Sequence, residues 1–214
     1  MYNIQDMKWH IIIALAALAI SVAMLLIQLL KLITSGKPKD LSKGAGNVSA
    51  GVAYSYTKAM SPMEKESAYL HLPTYAAGMI YHAGIFASLL LFLLFISSLF
   101  EIPQTISMIT GALLIVSGLC GLAVLFKRFI NAGLRSLSGA DDYISNFLTT
   151  LAIFATAAYL LYEQAELPYY LIVSVLLLWI PLGKTRHLLY FFFARYHLGY
   201  FFGKRGTWPP KSLK

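Results

Sequence analysis

Five stretches of the sequence are each long and apolar enough to cross a lipid bilayer, and this feature limits the fold more than any other. A crossing helix needs roughly 20 predominantly apolar residues. The predicted spans cover residues 9–33, 75–100, 104–126, 143–162 and 169–196. Because a backbone inside the bilayer must satisfy its own hydrogen bonds, the sequence predicts an all-α integral membrane protein, a bundle of five transmembrane helices.

Composition limits what else the chain contains. Of its 214 residues 58% are hydrophobic and 12% charged, which leaves room for one membrane domain over residues 1–214 and none for a separate soluble catalytic domain. The single cysteine, Cys120, lies in an apolar stretch, so no disulfide framework, thiolate metal site or iron–sulfur cluster is expected. It is interpreted as a small packing residue.

The distribution of Lys and Arg predicts the orientation. Of 17 basic residues, all but Lys8 lie in the second half of spans one and five or in the segments that follow spans one, three and five. The positive-inside rule then places the N-terminus outside and the C-terminus in the cytoplasm of a cell carrying the protein in its cytoplasmic membrane. The formal charge of +8 is therefore interpreted as a topology signal, and no nucleic-acid partner is expected. The cytoplasmic connection 34–74 begins with Gly, Ser and Lys, as flexible polar loops do, and its second half is expected to contact a partner or the membrane surface.

Four of the five histidines fall on two spans, His71 and His82 near the second, His187 and His197 near the fifth. An imidazole within a bilayer is costly and marks a functional site by default. Facing helices of a bundle can supply two axial imidazoles to a haem iron. The alternative is that each histidine only forms a hydrogen bond between helices or lies at the interface.

Residue counts along the spans predict which histidines pair. His82 lies 18 residues from Phe100, and His187 lies 18 residues from Tyr169. The corresponding counts are 29 for His71 and 28 for His197, so two levels about 15–17 Å apart are expected at a rise of about 1.5 Å per residue. His82 with His187 is the first predicted ligand pair and His71 with His197 the second. Pro73 predicts that His71 lies at or just before a helix start, or at a kink.

The surroundings of these histidines fit a porphyrin. Gly78 and Gly84 flank His82 and are expected to let a flat macrocycle approach the helix. Cations suited to haem propionates bracket the later histidines; they are Lys184, Arg186 and Arg195. Positive-inside bias alone also explains these cations.

The fifth histidine, His10, lies at the outer start of span one beside Trp9. It is interpreted either as an ordinary interfacial residue or as the acceptor of a proton released by a quinol oxidised near the outer face.

The run Gly183–Arg195, GKTRHLLYFFFAR, followed by Gly203–Gly206, GKRG, resembles the last helix of nitrate reductase gamma-subunit-like membrane cytochromes b. It is especially similar to the cytochrome b subunit of Dsr complexes and of Hdr-like menaquinol oxidoreductases. The resemblance implies a subunit with two b-type haems, or at least one, that oxidises menaquinol or a similar quinol. His82 and His187 would ligate the haem distal from a cytoplasmic iron–sulfur partner, and His71 and His197 the proximal haem.

In that interpretation the chain is an electron-transfer subunit of a respiratory complex, alongside other membrane subunits and lipid, and not an enzyme by itself. A transporter is disfavoured because the spans carry no acidic ion ligands or clear polar path. The remaining alternative is a membrane anchor or assembly subunit without haem.

Overall fold

The computed structural model describes residues 8–35, 40–64, 68–97 and 102–210, and these residues form α-helices, short 3₁₀ turns and connections without any strand. The α-helices are α1 (Trp9–Thr34), α2 (Val48–Tyr56), α3 (Leu72–Ser97), α4 (Gln104–Ile130), α5 (Ala132–Ser136), α6 (Ala140–Leu161), α7 (Glu166–Trp179) and α8 (His187–Lys204).

The helices agree with the expectation of a multi-pass membrane protein. Four of them, α1, α3 with its preceding turn, α4 and α6, are long and apolar enough to cross a bilayer. A fifth candidate is a bent pair, Glu163–Trp179 with Lys184–Lys204. The predicted end of span two, Phe100, lies outside the described residues.

The predicted span 169–196 is not one continuous helix, because the helix breaks after Trp179 and the two parts are bent by 73°. Pro181 has no N–H to continue the helical hydrogen bonds, and the N–H of Gly183 instead donates to the carbonyl of Trp179 at 2.9 Å. A Cβ on Gly183 would lie 2.7 Å from Cε2 of Trp179. The close approach at Gly183 therefore excludes a larger residue, and α8 begins only after a 3₁₀ turn at Lys184–Arg186.

The chain divides into two units. The first contains Met1–Met24 and Ala76–Thr185, and the second contains Leu25–Tyr75 and Arg186–Lys214.

In the first unit, α3, α4 and α6 pack around a core of Leu91, Leu114, Ile153 and Ala157. Glycines of α4 receive side chains of the neighbouring helices. A Cβ on Gly118 would lie 2.6 Å from the ring of Phe154, and one on Gly111 would lie 3.1 Å from the end of Leu161. Small residues at such crossings let apolar helices approach where no hydrophobic effect drives them together.

In the second unit, α2 packs against α8, so the middle of the connection 34–74 is a helix in contact with the chain's own last helix. The Asn47 side chain caps α2 by accepting a hydrogen bond from the N–H of Ala50 at 3.1 Å. Glycines then allow backbone contact: a Cβ on Gly51 would lie 2.5 Å from the carbonyl oxygen of Gly199, and one on Gly199 would lie 2.5 Å from Cα of Val52.

A charged contact closes the end of the second unit. The Arg205 guanidinium donates to both carboxylate oxygens of Asp40, at 3.1 and 3.2 Å, a bidentate geometry that gives direction as well as charge. Hydrogen bonds from Ser42, together with Arg205, hold the pKa of the Asp40 carboxyl well below its ordinary value despite partial burial. Asp40 is therefore anchored as a carboxylate.

Candidate functional site

The structure assigns the predicted ligand histidines to different units. His82 belongs to the first unit, whereas His71, His187 and His197 belong to the second. All four are exposed at the surface of the chain. Among the described residues, no three His, Cys, Asp or Glu side chains come together as a metal-ion site.

The imidazole of His82 has a fixed orientation. Its Nδ1 lies 2.7 Å from the carbonyl oxygen of Gly78, one turn earlier on α3. Because a carbonyl can only accept, Nδ1 carries the proton, and the neutral ring then holds its lone pair on Nε2. This is the arrangement by which a backbone carbonyl orients a metal-ligating histidine. A Cβ on Gly78 would meet nothing within 4 Å, so the helix surface beside the ring is open.

Gly84 has a different role from the one predicted. It is buried, and a Cβ there would lie 2.5 Å from Cβ of Ser117 on α4. The hydroxyl of Ser117 donates to the carbonyl of Ile80 at 3.1 Å. Gly84 therefore permits the crossing of α3 and α4 and does not line an approach to His82.

Tyr81, next to His82, points into the unit. Its hydroxyl donates to the carbonyl of Asn146 at 3.0 Å and also contacts the hydroxyls of Thr149 and Thr150 on α6. Because the side chain of Tyr81 points inward, the rotation of α3 is fixed and the side chain of His82 points outward.

His71 lies where Pro73 predicted. It is the last residue of a 3₁₀ turn, Ala68–His71, and α3 begins at Leu72. The expectation of a histidine just before the helix start is confirmed, and its role as a ligand stays a prediction.

His187 is the first residue of α8, and His197 lies within the same helix, with its ring centroid 4.2 Å from that of Phe193. The count that matched His187 with His82 assumed regular helix from Tyr169. Because residues 180–186 are turn and 3₁₀ structure, a rise of about 1.5 Å per residue does not apply across them. Both pairings remain predictions from sequence.

The three cations predicted to meet propionates have partners within the protein. Lys184 contacts both carboxylate oxygens of Asp142, at 2.6 and 2.7 Å. Arg195 donates to the carbonyl of Ser55 in the second unit. Arg186 is exposed and lies 6.0 Å from the ring centroid of Tyr190.

His10 is buried within the first unit, and only 6% of the residue is exposed. Its Nε2 lies 3.2 Å from Oε1 of Glu166 at the start of α7, and Lys8 forms an ion pair with the same carboxylate. Its Nδ1 is buried with no hydrogen-bond partner. Glu166 was missed in the sequence, although the predicted topology already put the Glu163–Pro168 connection on the side of Lys8 and His10.

An aromatic cluster lies beside this pair. Tyr170 is 5.6 Å from His10 between ring centroids and 5.0 Å from Tyr169, which in turn stacks on Tyr159 at 4.9 Å. The tyrosines come from α6 and α7, and their pattern along the sequence gave no sign of the cluster.

The fold and these sites define a multi-pass helical membrane protein. Comparisons with protein-family models, curated proteins and solved structures gave no match.

Proposed function

We propose that this protein is the haem b-binding membrane subunit of a respiratory redox complex, which oxidises quinol and passes electrons to a cytoplasmic iron–sulfur partner. The proposal places the N-terminus outside and the C-terminus on the cytoplasmic side, following the basic residues.

The observation that carries the proposal is the exposed, oriented imidazole of His82 in a helix long enough to span a bilayer. An imidazole exposed on a membrane-spanning helix is costly, so a bound group or another subunit is expected to cover it. Nε2 of such a ring can coordinate a haem iron, and the backbone carbonyl at Nδ1 raises the basicity of the ligand. The donor chemistry of His82 therefore fits an axial haem ligand.

The other assignments follow the sequence. His187 is proposed as the second axial ligand with His82, and His71 with His197 as the pair for a second haem. The resemblance of Gly183–Arg195 to the last helix of membrane cytochromes b supports the same assignment. Bound b-type haem supplies a one-electron carrier whose potential depends on its ligands and surroundings.

The protein's own residues would orient the ligands and neutralise charge. Gly78 fixes the His82 ring through its carbonyl, and exposed Arg186 is available to a propionate. Lys184 and Arg195 would have to exchange their present partners to do the same.

A reduced-minus-oxidised absorption spectrum of the purified protein, with haem quantified as pyridine haemochrome, tests the proposal. Two b-type haems per chain would support both pairs, and one would restrict the assignment to His82 and His187. Absence of haem from a folded preparation containing its partners would overturn the proposal in favour of the anchor or assembly subunit.

Variants identify the ligands. His82→Ala with His187→Ala is expected to abolish the first haem. Met108→Ala, an exposed residue on α4 of the same unit as His82, serves as the control and should keep the wild-type haem content. Retention of all haem in the double variant would contradict the assignment of this pair.

A further inference from the structure

The buried pair of His10 and Glu166 in the first unit has the chemistry of a proton acceptor. We propose that this pair accepts the proton that a hydroquinone releases, with Nδ1 of His10 as the base and Glu166 as the group that stabilises and relays the charge. The choice of a hydroquinone as substrate rests on the proposed function, whereas the proton-accepting role rests on the geometry.

The tautomer of His10 follows from its neighbours. Lys8 forms an ion pair with Glu166, which favours the carboxylate. A carboxylate can only accept a hydrogen bond, so Nε2 of His10, 3.2 Å away, carries the proton. The lone pair of the neutral imidazole is then on Nδ1.

Nδ1 is the ring nitrogen of His10 that has no hydrogen-bond partner. It is buried without a hydrogen-bond partner in a side chain that is only 6% exposed. Buried polar atoms are almost always paired, and an unpaired one marks a place where a ligand or a proton is expected. A carboxylate behind one nitrogen and an unpaired lone pair on the other are what a histidine general base requires.

The surroundings suit a planar aromatic ligand. Tyr170 faces the His10 ring at 5.6 Å, and Trp9 meets it edge-on at 5.5 Å. Trp9 is 58% exposed, and the inference requires its side chain to move aside so that a ligand reaches the imidazole. A hydroquinone combines an apolar ring with hydroxyl groups that match these walls and Nδ1.

The proton transfer is balanced. The O–H bond of the hydroquinone breaks, its electron pair stays on the oxygen, and an N–H bond forms at Nδ1. The proton on Nε2 passes to the Glu166 carboxylate and from there to water, because the Glu166 side chain is 21% exposed. Among the described residues, the other titratable and charged groups near the pair and the tyrosines beside it are Lys8, Glu163, Tyr159, Tyr169 and Tyr170.

Glu166→Gln in the full-length protein tests the inference, since the amide keeps the size and hydrogen bonding of the side chain but cannot carry the charge. Stopped-flow reduction of the haem by duroquinol is followed from pH 5 to 9. The variant is expected to react about 10-fold more slowly, and His10→Gln about 100-fold more slowly, in the range typical of a lost general base. The pH dependence of the rate should change in Glu166→Gln, because the carboxylate that stabilises positive charge on the imidazole is removed.

Glu163→Gln is the matched control, since Glu163 is an exposed carboxylate in the same connection. It should keep the wild-type rate and pH profile, and all variants should keep the wild-type haem spectrum and thermal midpoint. Glu166→Gln with an unchanged rate and pH profile would overturn the inference while leaving the haem proposal intact.

Histidine ring ¹⁵N NMR separates the two proposals. If the wild-type protein holds no haem, the proposed function fails, and the pair is judged on its own. Perturbation of the His10 ring signals by duroquinol, lost in Glu166→Gln, would support the inference, and insensitivity of these signals to duroquinol would overturn it.

Discussion

The two units use glycine for opposite kinds of helix contact. In the first unit a glycine of α4 leaves a notch, a gap in the helix surface that a side chain of α6 fills, as Phe154 does at Gly118. In the second unit glycines of α2 and α8 bring two backbones together, as Gly51 approaches Gly199 and Gly203. A side chain can change its rotamer when its notch is filled, whereas a backbone can yield only if the whole helix moves. Glycine content alone therefore does not predict tolerance to substitution.

The largest effect is expected from Gly51→Leu in the second unit. The new side chain would meet the backbone of α8, so α2 must separate from it, at a cost of about 3 kcal/mol or more. Hydrogen exchange at the amides of Val48–Tyr56 measures this opening. Gly44→Leu is the control, because a Cβ at Gly44 meets nothing within 4 Å. Equal protection of α2 in both variants would contradict backbone contact.

A smaller effect is expected from Gly118→Ala in the first unit, about 1–3 kcal/mol, because the Phe154 ring must shift. Adding Phe154→Leu should recover part of this loss, which a double-mutant cycle on thermal unfolding in detergent would measure. Gly78→Ala, with open space at its Cβ, should not destabilise the helix. Failure of Phe154→Leu to compensate would mean that the α4 contact is as rigid as the α2–α8 contact.

Gly111→Ala should cost less than about 1 kcal/mol, and it tests a second notch of α4 that receives a more flexible side chain. Its Cβ would lie 3.1 Å from the terminal carbons of Leu161, and a leucine end can move aside by a few tenths of an ångström. The thermal midpoint should stay close to that of the wild type. A loss as large as that of Gly118→Ala would show that rotamer freedom does not distinguish the two notches.

The smallest effect is expected at the ion pair of Asp40 and Arg205 in the second unit. The folded pKa of Asp40 is below its unfolded value, so the carboxylate stabilises the fold above about pH 4, and this contribution is lost as the pH falls below that value. Thermal midpoints of the wild type and Asp40→Asn should differ at pH 6, and the difference should become smaller as the pH is lowered to 3. A difference independent of pH would mean that the charge of Asp40 contributes nothing.

The apolar runs predicted most of the helices because a bilayer-spanning helix is defined by length and composition, both of which are local properties. The position of His71 just before a helix start was predictable from a local feature too, because Pro73 follows two residues later. The contacts of α2 with α8 and of His10 with Glu166 join residues about 150 positions apart, and no periodicity encodes them. The break after Trp179 was visible as Pro181 and Gly183, but the apolar residues on both sides obscured it.

The hydroxyl of Tyr81 is hydrogen-bonded to Asn146, Thr149 and Thr150 of α6. These hydrogen bonds fix the rotation of α3 about its own axis. Consecutive residues of an α-helix are rotated by about 100° about its axis. The inward direction of Tyr81 therefore determines the outward direction of His82. The orientation of the exposed imidazole is thus determined by hydrogen bonds inside the bundle. Tyr81→Phe would therefore change the direction of the His82 side chain without changing the histidine itself. Buried residues of the bundle can in this way alter the exposed surface that carries His82.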